Sequence, residues 1–110
     1  MEVENMEIIE TPYVLGEKNK KAGKVFTQDQ FDVMNIQLKT GEEIPAHHSD
    51  RDVIIIVRNG IVSFTVEEKT VELTNEQLLY IKPFEKHSLV AKEDADIIVM
   101  KIKNELLNDQ

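Results

Sequence analysis

Three histidines carry most of the chemistry open to this 110-residue chain. They lie in two short segments. One is Gly41-Glu42-Glu43-Ile44-Pro45-Ala46-His47-His48, running on through Val53-Ile54-Ile55-Ile56-Val57 to Asn59-Gly60. The other is Leu78-Leu79-Tyr80-Ile81-Lys82-Pro83-Phe84-Glu85-Lys86-His87. Imidazole is the side chain that moves protons or binds metals near neutral pH. Each segment sets histidine beside a strand-like run. If the strands pack together, the histidines meet in one cavity, and any chemistry starts there. No nucleophile joins them: Ser49 is two residues from His47, and Ser88 points away from His87 on an extended strand. The chain has no cysteine, which excludes disulfides, thiolate nucleophiles and thiolate–metal sites. Its 4 glycines are unclustered, so there is no phosphate-cradling loop.

The elements that must position these residues read as an all-β sandwich or barrel, since β-branched runs alternate with turn signals. Phe31–Leu38 sets Met34, Ile36 and Leu38 on one face, while Asp32, Asn35 and Gln37 break the pattern of the other. Lys39-Thr40-Gly41-Glu42 reads as a turn. Asn59-Gly60 favours a two-residue type I′ turn, predicting a hairpin between Asp52–Arg58 and Ile61–Glu67. Glu68-Lys69 reverses the chain before Thr70–Leu73. Strands over Gln77–Lys82, Lys86–Ala91 and Asp96–Lys103 follow, and Asn104–Gln110 ends in a helical turn or frays.

Val53–Val57, Leu78–Ile81 and Ile97–Met100 do not alternate and are apolar on both faces. Such strands are usually covered on both sides. A homodimer, formed by sheet packing or by exchange of an N-terminal strand, would cover them. The alternative cover is residues 1–30 folded back over the same face. Length and composition fit one domain, with a core over residues 25–103 and an acidic arm over 1–24. Lys18-Asn19-Lys20-Lys21 with Lys24 reads as a solvated loop.

The formal charge is −8, so nucleic acid and anionic membrane surfaces are not expected partners. The acidic N-terminus is unlike a signal peptide, and no apolar run approaches the ~20 residues of a membrane span. A cytoplasmic location is the expectation.

The two histidine segments together resemble the cupins. That family's first motif runs glycine, five residues, His-x-His, three or four residues, glutamate, six residues, glycine. Here Gly41, His47 and Gly60 keep that spacing. In the second motif, Ile81-Lys82-Pro83-Phe84-Glu85-Lys86-His87 follows the apolar-Pro-Pro-Gly-x-x-His pattern, with Phe84 where glycine is usual, and Asn75-Glu76 replaces Gly-Asp. The resemblance covers residues 25–103. It implies a double-stranded β-helix, a jelly-roll β-barrel of antiparallel strands. It also implies a metal held by four side chains, of which His47 and His87 match the first and last. Ser49 stands at the second histidine and Val53 at the glutamate, so two of the four are missing. His48 is adjacent to His47 and would face away unless a bulge turns both inward. Asp52 has the same problem of facing, while Asp50 could reach in from its loop. The candidate metal set is therefore His47, His48 and His87, with water or Asp50, suited to zinc, nickel, iron or manganese.

Other side chains receive structural expectations. Phe84 plugs the barrel mouth, Tyr80 joins the core or a dimer face, Met34 and Met100 fill the core, and Phe26 and Phe31 seal the N-terminal side. Three functions follow. The first is a barrel that binds a small molecule through His47 and His87. The second is a metal-dependent enzyme, of dioxygenase or isomerase type, acting on a small oxygenated substrate. The third is an assembly role in which the histidine pair senses pH.

Overall fold

The structure, a computed structural model, describes residues 6–104. Nine strands build it: β1 (Lys20–Thr27), β2 (Phe31–Leu38), β3 (Glu43–His47), β4 (Asp52–Asn59), β5 (Val62–Val66), β6 (Lys69–Leu73), β7 (Leu78–Ile81), β8 (His87–Ala91) and β9 (Ala95–Ile102). They form two antiparallel sheets, one in the order β1-β2-β9-β4-β7 and the other β3-β8-β5-β6. This is the all-β architecture expected from the strand rhythm. No helix among the described residues is long and apolar enough to cross a membrane.

The core lies between the sheets and follows the period-2 pattern. Val53, Ile55 and Val57 of β4 point inward, as do Val62 and Phe64 of β5 and Ile97 and Val99 of β9, all nearly free of solvent. Glu42 N–H donates to the Lys39 carbonyl at 2.9 Å, closing the expected turn. Gly41 takes φ +90° at its third position, where a side chain would be strained.

Asn59-Gly60 does not make a hairpin. β4 pairs with β7 and β9, whereas β5 pairs with β6 and β8, so the chain crosses here from one sheet to the other. Gly60 has φ +86° while Asn59 keeps negative φ, so the turn is not type I′. The glycine is needed for space as well, since a Cβ would meet the Asp94 carbonyl oxygen at 2.2 Å. The true hairpin joins β5 to β6, with Val66 opposite Lys69 and Glu67 at φ 54°. β1 begins at Lys20, so the lysine-rich stretch read as loop is mostly strand.

The outer face of the five-stranded sheet explains the odd composition of β2. Asn35 and Gln37 point outward yet are fully buried. Asn35 Nδ2 donates to Asp96 Oδ1 (2.8 Å) and to the Ile97 carbonyl (3.0 Å), and Gln37 Nε2 donates to Asn35 Oδ1 (2.9 Å). Arg58 closes the network on both Asp96 oxygens at 2.9 and 3.1 Å. An N-terminal strap covers it. Val14 N–H donates to Gln37 Oε1, Gln37 Nε2 donates to the Pro12 carbonyl, and Arg58 donates to Thr11. Leu15 is buried at the end of the strap. The chain's own N-terminal segment therefore covers part of the second apolar face. Another part stays open: Leu78 and Tyr80 of β7 are 69% and 56% exposed, and Met6 and Ile8 of the arm 71% and 80%. The tail beyond Asn104 lies outside the described residues.

Candidate functional site

His47 ends β3 and His87 begins β8, directly opposite each other across the two strands. A register shift between Ile44 and His47 inserts one extra residue into β3. Ile44 and His47 are three apart, an odd spacing that a regular strand would send to opposite faces. The bulge brings both to the same cavity. Pro45 sits in the bulge, where its missing N–H costs the ladder nothing. The bulge falls before His47 rather than after it. His47 is turned inward by it, and His48 is left exposed.

The two imidazole rings meet edge to face with centroids 4.3 Å apart. His47 Nδ1 lies 3.0 Å from the Pro45 carbonyl oxygen, and His87 Nδ1 lies 3.0 Å from that of Glu85. A carbonyl can only accept, so each Nδ1 carries a proton, and in the neutral ring Nε2 then keeps its lone pair. Neither Nε2 has a hydrogen-bond partner among the described residues. His87 is 6% exposed. Burial lowers its pKa below the ordinary imidazole value; the Glu85 carbonyl opposes this, and His47, Lys101 and His48 push it further down.

Around the pair lies a cavity of about 110 Å³. Both sheets supply its wall, which is apolar at Met34, Ile36, Ile55, Phe64, Leu89 and Val99. One further polar residue lines it, Lys101 of β9. Strand parity alone could have found that lysine, because Ala95, Ile97 and Val99 face inward and residue 101 continues the series. A wider groove of about 540 Å³ opens between the edge strands β6 and β7, but it has no imidazole and is rimmed by Glu67, Glu68 and Glu85. The convergent polar groups belong to the smaller cavity.

The positions named from the sequence divide accordingly. His47 and His87 come together. Ser49 turns its carbonyl to the Phe84 N–H at 2.7 Å. Val53 is buried in the core. Asp50 is exposed near Arg51, and Asp52 faces outward, accepting from the Tyr80 hydroxyl at 2.5 Å. Phe84 is 59% exposed at φ 70° and does not line the cavity, so it is no plug. Its expected place over the mouth rested on proximity to His87; the tight turn after Pro83 instead points it to solvent. Met34 lines the cavity, whereas Met100 is only half-buried on the outer face. Phe26 and Phe31 stack with centroids 6.0 Å apart.

The resident metal implied by the resemblance does not fit this donor set. No group of three or more His, Cys, Asp or Glu able to hold a metal ion occurs among the described residues. The third polar residue of the lining is Lys101, whose ammonium repels a cation and offers it no lone pair.

No family model matches the chain, and no curated protein matches it. Solved structures do. A cupin from Methanocaldococcus jannaschii, described as RmlC-like with a double-stranded β-helix fold, is 20% identical with a TM-score of 0.75 and covers 96% of this chain and 97% of its own. A conserved protein of unknown function from Streptococcus pyogenes is 17% identical with a TM-score of 0.75 over 91% and 92% of the two chains. An oxalate decarboxylase variant from Bacillus subtilis is 18% identical with a TM-score of 0.72, over 81% of this chain and 26% of that one. Strand order, sheet pairing and these likenesses agree: the chain has the cupin fold, a double-stranded β-helix.

Proposed function

We propose that this protein is a small-molecule binding module whose ligand lies between the sheets, anchored by His47 and His87. The observation that carries the reading is the pair of unpartnered Nε2 atoms in a cavity whose other lining is apolar apart from Lys101. Ligand sites are mostly apolar, with a few placed polar groups that fix orientation. The volume is of the right order, since an apolar cavity of about 150 Å³ takes benzene. The test is a fragment screen read from the histidine ring protons. His48, outside the cavity, serves as the internal control. Binding should shift the His47 and His87 signals and leave His48 still; a screen that moves none of them, or all three alike, overturns the reading.

The metal-dependent enzyme is the second reading. An oxalate decarboxylase has the same fold, but at that identity the likeness concerns the fold alone. The donor set argues against this reading. Protein purified without an affinity tag and reloaded with zinc, nickel, iron or manganese should hold less than about 0.1 equivalent, because a resident site binds far more tightly than that.

We also propose that two copies of the chain associate through the open part of the outer face. Leu78 and Tyr80 expose apolar side chains there, Met6 and Ile8 expose theirs on the arm, and β7 is an edge strand with free backbone groups. An extended arm from a second copy suits both features. Sedimentation should give a dimer for the full chain and a monomer for Ile8→Asp with Leu78→Asp. A monomeric full chain at about 100 μM, well above typical dimer dissociation constants, would refute it.

A further inference from the structure

The cavity's lining combines unusual polar residues: a lysine, whose ammonium can only donate and whose charge acts on His87, and two imidazoles whose Nε2 atoms accept when the rings are neutral. A ligand must answer both. Lys101 makes no ion pair among the described residues, although it is only half exposed. The carboxylate opposite it in register, Asp32 on β2, is committed elsewhere. Asp32 accepts from the Thr27 hydroxyl and sits 3.7 Å from Lys24 and 3.6 Å from Arg51. Asp50 is exposed and lies 4.0 Å from Arg51, and Asp52, one register position away on β4, accepts from the Tyr80 hydroxyl. Lys24, Arg51 and Lys101 thus stand at this end with Asp32, Asp50 and Asp52, and Lys101 is the cation among them that no described carboxylate pairs. At physiological salt the Debye length is about 8 Å, so the local groups rather than the net charge set the potential inside the cavity.

We infer that the cavity takes a small hydroxycarboxylate, its carboxylate paired with Lys101 and its hydroxyl donating to an imidazole Nε2. The inference rests on reading the cavity as a binding site and adds the ligand's class. A plain carboxylate would set its oxygens against the imidazole lone pairs. A plain alcohol would leave the lysine's charge without a partner in the ligand. A molecule with both groups and a short apolar remainder satisfies every polar atom on offer. Size narrows the class further. The space of about 110 Å³ is smaller than the roughly 150 Å³ that takes benzene, and lactate has as many non-hydrogen atoms as benzene, so acids of three carbons are the upper limit.

The experiment compares L-lactate, glycolate, propionate and 1,2-propanediol by titration at about pH 8, above the ordinary imidazole range. The His47 and His87 ring protons give the readout. Lactate or glycolate should bind at least about tenfold more tightly than propionate and propanediol, each of which lacks one of the two partners. Lys101→Met should abolish the advantage of lactate over propanediol. Propionate or propanediol binding as tightly as both hydroxy acids overturns the inference, and that comparison needs no variant. If neutral fragments shift the two histidines while lactate does not, the inference falls and the binding reading stands. If no compound shifts them, both fall.

Discussion

At the scale of single residues, the protein's chemistry depends on how two backbone carbonyls hold two imidazoles. Pro45 and Glu85 each present an oxygen to the Nδ1 of the histidine two residues on. The sequence placed His47 and His87 at matching positions, and that much was legible. Lys101 was not singled out, because a lysine near the end of an apolar strand reads as a solvated terminus. Only the parity of β9 sends it inward. The buried histidine also gives the protein a pH signature. His87 has a folded pKa below the unfolded value of about 6.5, so the unfolded chain binds the extra proton between those two values. Its stabilising effect is complete above about pH 6.5 and is lost as pH falls towards the folded pKa. Asp32, held low mainly by the Thr27 hydroxyl, and Asp94, held low mainly by the Thr40 N–H, act in a separate window. Their contribution is present above about pH 3.9 and is lost below it. Urea midpoints measured against pH should fall in two steps on acidification, and His87→Gln should remove the upper step alone. An upper step that survives in the variant would assign it to another group.

At the scale of elements, strand existence was readable and strand connection was not. Val62, Phe64 and the Val53–Val57 run announced their strands by period and by branching. Asn59-Gly60 looked like a hairpin because turn propensity is local, whereas the choice of sheet depends on what lies across the gap. What lies there is Asp94, whose carbonyl oxygen occupies the place of a Gly60 side chain. Gly60→Ala should therefore destabilise the protein by more than about 1 kcal/mol in urea unfolding, through both crowding and positive φ. A neutral result would contradict the packing of this crossover. The bulge in β3 was similarly hidden, although Pro45 is the residue that marks a break in a ladder. The strap over β2 supplies a further test. Leu15 is buried with relative exposure of 1%, so Leu15→Ala should cost about 2–5 kcal/mol, as for other buried leucines. A loss under about 0.5 kcal/mol, the range of surface substitutions, would mean that the strap is not packed in solution.

At the scale of the whole molecule, the acidic chain brings imidazoles and a lysine together at the cavity between its sheets. The fold was legible from the combined spacing of the two histidine segments and the strand rhythm between them. The site was legible only by half, since Ser49 and Val53 removed the expected ligands without indicating what replaced them. The structure supplies that replacement as a pair of imidazoles in one cavity lined also by a lysine. Two-faced apolar strands had suggested a partner copy, and the strap now accounts for part of that surface, leaving Leu78, Tyr80 and the arm for sedimentation to examine. The central claim is that His47 and His87 present unpartnered Nε2 atoms to a ligand cavity. Its most direct test is the imidazole nitrogen NMR spectrum at about pH 8, recorded free and with each binding fragment. Both residues should show the proton on Nδ1 and a lone pair on Nε2, and ligand should perturb Nε2 of both while His48 stays unchanged. Protons on Nε2 in the free protein, or a spectrum indifferent to every ligand, would contradict it.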